Sequence, residues 1–172
     1  MSFQKQVYKS PSTKKPLVTV VISGYKSPIL PVKFSTLVKP FYYSNSPTIA
    51  RYSVTTAFCP KEHAEFLKGI QTIEKNEGVE SILKHDSFKV EGEYQNTGKL
   101  LIKFQSKKQI PVFIKTEDGE GAMELQDELA KGENIQVIFD ILRYTKKNTA
   151  PTEYGISYKP TKIIYYPQAE GA

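Results

Sequence analysis

The chain has 172 residues, of which 39% are hydrophobic and 24% charged, with a formal net charge of +6. That length suits one domain with a real core, and the composition excludes an intrinsically disordered chain. No apolar run reaches the roughly 18 residues that a membrane-spanning helix needs. The excess of positive charge is uneven: residues 1–61 hold nine Lys or Arg and no acid, the first being Glu62. Such a distribution points to a polyanion-binding surface, the alternative being an ordinary solvated lysine face.

In chain order, Met1 to Pro16 is polar and basic and reads as a flexible arm without the apolar core of a signal peptide. Leu17 to Tyr25 is a short β-prone run closed by Gly24 and Pro28. Val32 to Tyr43 reads as a long strand, with Val32, Phe34, Thr36 and Val38 on one face and Lys33, Ser35, Leu37 and Lys39 on the other. YYSNSP is a turn. Ile49 to Phe58 is a second strand, with Tyr52, Val54, Thr56 and Phe58 opposed to Arg51, Ser53, Thr55 and Ala57. PKEHAEFLKGIQTIEKNEG predicts a helix with Pro60 in its first turn and Gly78 past its end. A short second helix over Val79 to Lys84 follows, then a strand over Phe88 to Tyr94 and a turn over Gln95 to Gly98.

Lys99 to Ser106 is a strand with Leu100, Ile102 and Phe104 inward. Ile110 to Lys115 is a short extended piece. Thr116 to Glu128 is acidic; it starts as a loop, and MELQDELAKG predicts one or two helical turns. Two long strands close the chain. Ile135 to Tyr144 places Ile135, Val137, Phe139 and Ile141 in the core, and Tyr154 to Tyr166 follows a basic connector. The expected fold is mainly β: an OB-like five-stranded antiparallel barrel with a helix inserted mid-chain, or alternatively an open antiparallel sandwich. The expected organisation is an arm over 1–16, one domain over 17–167 and a frayed end over 168–172.

Little in the sequence points to catalysis. His63 and His85 have no Cys or second His at ligand spacing, so no metal site is expected. EDGEG lacks the spacing of a calcium loop. Cys59 is the one cysteine; it cannot form an internal disulfide, fits a reducing compartment and reads as a small buried hydrophobe. The chain has no phosphate-binding glycine motif, nucleophile elbow or HExxH. The expectation is a protein with no cofactor, metal or enzymatic activity.

What the sequence does present is Tyr interleaved with Lys and Arg. Lys39, Tyr42, Tyr43 and Arg51 flank the first hairpin. Arg143, Tyr144, Lys146, Lys147, Tyr154, Tyr158 and Lys159 surround the last one. Lys99 and Lys103 share a strand face. Rings offer stacking surfaces to bases and cations offer charge to phosphates, the combination used by sequence-tolerant binders of single strands. In an OB barrel the first and last hairpin loops border one groove, so these residues are expected to line it together.

Residues 30–166 resemble the OB-fold single-stranded-DNA-binding proteins of tailed phages. The resemblance rests on the Gly-led strand GENIQVIFDILRY, the final strand YGISYKPTKIIYY with Gly155-Ile156-Ser157-Tyr158, and the strand–Pro-Lys–helix passage RYSVTTAFCPKEHAEFLKGIQ. It implies coating of DNA strands exposed in replication, recombination or repair, with little sequence preference. It also implies dimers, replication or recombination proteins as partners, and a location in the host cytoplasm away from membranes. The chain ends in YYPQAEGA, whose one acid is Glu170, where that family often has an acidic tail. The alternative is a non-enzymatic structural or adaptor barrel of a phage particle or replication complex, and an RNA-binding barrel is a third reading.

Overall fold

The computed structural model describes residues 6–8, 17–146 and 149–167. In chain order these form β1 (Gln6–Tyr8), β2 (Val18–Lys26), β3 (Leu30–Tyr43), β4 (Ser46–Phe58), α1 (Ala64–Glu77), β5 (Lys84–Val90), β6 (Glu93–Ser106), β7 (Val112–Thr116), β8 (Gly119–Met123), β9 (Asn134–Thr145) and β10 (Tyr154–Tyr166). Five of the strands make the barrel, hydrogen-bonded in the order β6-β4-β3-β9-β10. β10 also lies against β6. Strands one, two and three of the barrel, then one, four and five, are thus neighbours, the connectivity of a partly open OB barrel.

The other strands extend it. β2 pairs with β9 and carries β1. β5 forms a hairpin with β6. β7 pairs parallel to β10 and antiparallel to β8, so the sheet is mixed rather than purely antiparallel. Gln6–Tyr8 falls within the segment expected to be a flexible arm; here β2 offers it a strand edge. The remainder of that segment, and residues 168–172, lie outside the described residues.

Alternation makes the core. Ile135, Val137, Phe139 and Ile141 of β9 are fully buried, as the period of two predicts. Val54, Thr56 and Phe58 of β4 and Ile102 and Phe104 of β6 face them. The Phe104 and Phe139 rings stand 4.7 Å apart and Tyr158 meets Phe139 edge-on at 5.7 Å. α1 closes the barrel with Phe66, Ile70 and Ile73, Phe66 packing edge-on against Phe58. The helix stops at Gly78, whose left-handed conformation brings its N–H onto the carbonyl of Lys75.

Four expectations need correction. Val79 to Lys84 is not helical, and β5 begins at Lys84. The hairpin turn is Glu91-Gly92, both at positive φ, while Gln95 to Gly98 continues as strand; the glycine at 98 serves a bulge, not a turn. Residues 124–130 form no helix. Leu129 is buried there and the Glu128 carboxylate is spent on β3, so the segment's side chains are committed to a neighbouring strand rather than to each other. In β3, the register shifts between Val32 and Phe34. Val32 and Leu37 are buried, whereas Phe34 is 59% exposed. A bulge reverses which face the later residues take.

Glu74 sits at the inner face of α1, only 4% exposed, and accepts a hydrogen bond from the Tyr158 hydroxyl at 3.4 Å. Burial pushes its carboxyl above the ordinary glutamate value. The folded state therefore prefers the protonated form. The stability this gives is complete below the unfolded value and is lost as pH rises through the folded one. Glu74→Gln is expected to be more stable than the unaltered protein at pH 7, by about 1–3 kcal/mol. The difference should close near about pH 4; thermal melts across that range check it.

Candidate nucleic-acid interface

The outer face of the β3–β4–β6 sheet follows from cross-strand register. Phe34 lies opposite Thr55, which lies opposite Lys103. Thr36 lies opposite Ser53, and Ser53 opposite Gln105. Phe41 lies opposite Arg51. The middle of this face is small and polar, with the Thr36 and Ser53 hydroxyls bonded at 2.9 Å. Around it stand rings and cations.

The Arg51 guanidinium lies over the Tyr43 ring at 5.5 Å, and the Phe41 ring meets Tyr43 edge-on at 5.0 Å. The Gln105 amide donates to the Tyr43 hydroxyl at 3.4 Å. That bond first, and then the charges of Lys103 and Arg51, hold the hydroxyl below the ordinary tyrosine value. Two cations thus stand beside rings that remain open to solvent: Phe34, Phe41, Tyr42 and Tyr43 are all exposed.

A carboxylate from far along the chain fixes this region. Glu128 accepts the backbone N–H groups of Leu37, Val38 and Lys39 at 2.5, 2.9 and 2.8 Å, and the Ser35 hydroxyl at 3.0 Å. These N–H groups belong to the stretch between Thr36 and Phe41 where the β3–β4 register shifts. With no strand partner for them there, the carboxylate takes that place. The bend that carries Phe41, Tyr42 and Tyr43 is thereby held from behind.

The predicted site residues divide. Tyr43, Arg51 and Lys103 come together on this face. Tyr42 and Lys39 are exposed nearby on β3, and Lys99 is exposed at the bulge in β6. Arg143, Tyr144, Lys146 and Tyr154 form a second group around the last hairpin. There the Arg143 guanidinium stands 4.3 Å from the Tyr154 ring centre and 3.6 Å from a Glu77 carboxylate oxygen. Tyr144 lies over Gly155, where a Cβ would come within 2.3 Å of its ring; only glycine admits the tyrosine there. Lys159 is exposed in register with Asp140. Lys147 lies outside the described residues.

Tyr158 is a correction. It is 2% exposed and packs on Phe104 and Phe139; its position two residues from Ile156 on β10 puts it on the core face, so it presents no ring to a base. The expected single groove between the two hairpin loops is also not what the topology provides. β3 and β9 are antiparallel and paired only at Leu30–Ile135 and Pro31–Asn134, the first residues of each. Their far ends therefore run to opposite ends of the barrel.

Phe34, Phe41 and Gln105 were missed from sequence. For Phe41 a signal existed: the run Phe41-Tyr42-Tyr43 beside a polar turn is an unusual density of rings at a loop. Phe34 was hidden by the bulge, and nothing local marks Gln105.

In sequence the chain matches no family model and no curated protein. In structure it is similar to the single-stranded DNA-binding protein of bacteriophage Enc34. Against that protein in complex with ssDNA the TM-score is 0.59 at 14% identity, covering 96% of this chain and 97% of that one. Against its C-terminal truncation the score is 0.58 at the same identity and coverage. The two chains share one fold. The similarity spans almost the whole of each.

Proposed function

We propose that this protein binds single-stranded DNA on the outer face of β3, β4 and β6, and coats strands exposed during phage DNA replication, recombination or repair. The observation that carries the reading is the open sheet face on which Phe34, Phe41 and Tyr43 are interleaved with Arg51 and Lys103. The Enc34 protein of the same fold, solved with ssDNA, supports it. An unpaired strand has free base faces for the rings and a phosphate every nucleotide for the cations; a duplex has its base faces already stacked. Binding of this kind reads no base edges and makes or breaks no covalent bond, so little sequence preference and no catalysis are expected.

Titration of dye-labelled oligo-dT at several salt concentrations tests this, with duplex DNA and oligo-U as comparisons. Affinity for dT is expected to exceed that for duplex and to fall as salt rises. Replacing Arg51 and Lys103 together by alanine is expected to flatten the log–log salt slope by roughly 1.4, about 0.7 for each phosphate released. No binding of dT at low salt overturns the reading, and preference for oligo-U reassigns the face to RNA.

A further inference from the structure

The β5–β6 hairpin stands apart from the barrel, and one ion pair shows where it goes. In the sheet order β5 lies three strand spacings from β3, about 14 Å if the sheet were flat. Yet the Lys33 ammonium on β3 is 2.8 Å from a carboxylate oxygen of Asp86 on β5. Lysine and aspartate side chains do not span three strands of a flat sheet. The hairpin therefore folds over the outer face.

The bend has a visible cause. His85 pairs with Leu100 but Ser87 pairs with Asn96, so β6 inserts two extra residues at this point. Gly98 in the insertion has φ of 85°. A bulge of this kind bends the strand and increases its twist. The Thr97 hydroxyl within it donates to the second Asp86 oxygen at 3.1 Å, and the Lys33 hydrogen bond holds the Asp86 carboxyl below the ordinary aspartate value.

Alternation along β5 places Asp86, Phe88 and Val90 on one face, the face that Asp86 turns toward Lys33. Phe88 is 46% exposed and Val90 40%. Phe88 and Val90 thus share the face of β5 that Asp86 turns toward Lys33, and a large part of each stays open to solvent. Lys33, Lys84 and Lys99 stand around the base of the hairpin, where Asp86 offsets Lys33, while its other acids, Glu91 and Glu93, lie at the tip.

We propose that this hairpin is a clamp arm of the strand-binding site: the arm, set by the Lys33–Asp86 pair, closes over a DNA strand lying on the sheet face, and Phe88 stacks on one of its bases. This rests on the function proposed above. The arm's position continues that face, its charge at the base suits a phosphate chain, and its apolar row suits bases.

The chain has no tryptophan, so Phe88→Trp places a sole indole emitter on the arm. Binding is followed in the same sample by the anisotropy of dye-labelled oligo-dT. Indole emission is expected to be quenched severalfold, saturating at the concentration where the anisotropy saturates. Phe88→Ala, at an exposed position that leaves the melt unchanged, is expected to weaken dT binding by roughly 5- to 150-fold. A full anisotropy rise with unchanged indole emission and an unweakened Phe88→Ala variant overturns the arm and leaves the function standing. No anisotropy change with the unaltered protein overturns the function, and the arm with it.

Discussion

Phe34→Ala combined with Tyr43→Ala is expected to weaken oligo-dT binding by about 2–6 kcal/mol, since each stacked base is worth about 1–3 kcal/mol by alanine substitution. Even the low end is roughly thirtyfold in Kd. The two rings lie on β3 but at different distances along it, and both are exposed. Their loss should therefore barely move the melting temperature, because surface substitutions of this kind usually stay within about 0.5 kcal/mol. Titration and thermal melting of the same preparation separate the two effects. Unchanged affinity in a folded double variant means that the strand does not lie on this face.

The second large effect is on stability. Glu128→Ala removes the acceptor for three backbone N–H groups and the Ser35 hydroxyl. Hydrogen bonds to a charged group are worth about 1.5–3 kcal/mol each, and donors left unsatisfied away from water add to the loss. Because the bonds share one side chain, their losses do not sum, and a total of about 3–5 kcal/mol is expected. For a domain of this size that is roughly 10–15 °C in Tm. Glu128→Gln keeps one oxygen acceptor and should lose about half as much. The same variants should weaken DNA binding, because the bend that presents Phe41 and Tyr43 loses its support. A Glu128→Ala protein with an unaltered melt would show that water replaces the carboxylate without cost.

Much of this was legible in the sequence where periodicity alone decides structure. β4 and β9 showed their faces because the period of two holds along each, and α1 showed its end because Gly78 is the residue a left-handed cap favours. The mainly β barrel with a helix in the middle followed from those elements. What escaped were features fixed by distant partners. The bulges in β3 and β6 are invisible to a period of two, which is why Phe34 was placed on one face with Val32 and Gln95 to Gly98 was read as a turn. Residues 124–130 have helical composition, but Glu128 and Leu129 find better partners on β3 and in the core. Tyr158 illustrates the reverse error: a tyrosine beside a lysine was read as a binding ring, when its place on β10 makes it a core residue whose hydroxyl is satisfied by Glu74.

Glu128 and the strand it braces are 89 to 91 residues apart. The polypeptide that emerges first from the ribosome thus carries the rings and cations, yet lacks the brace until much of its length has been made. A nascent chain halted before β7 holds the ingredients of the interface without its shape. The face proposed to hold a strand is in this way completed only after residue 128 has been made.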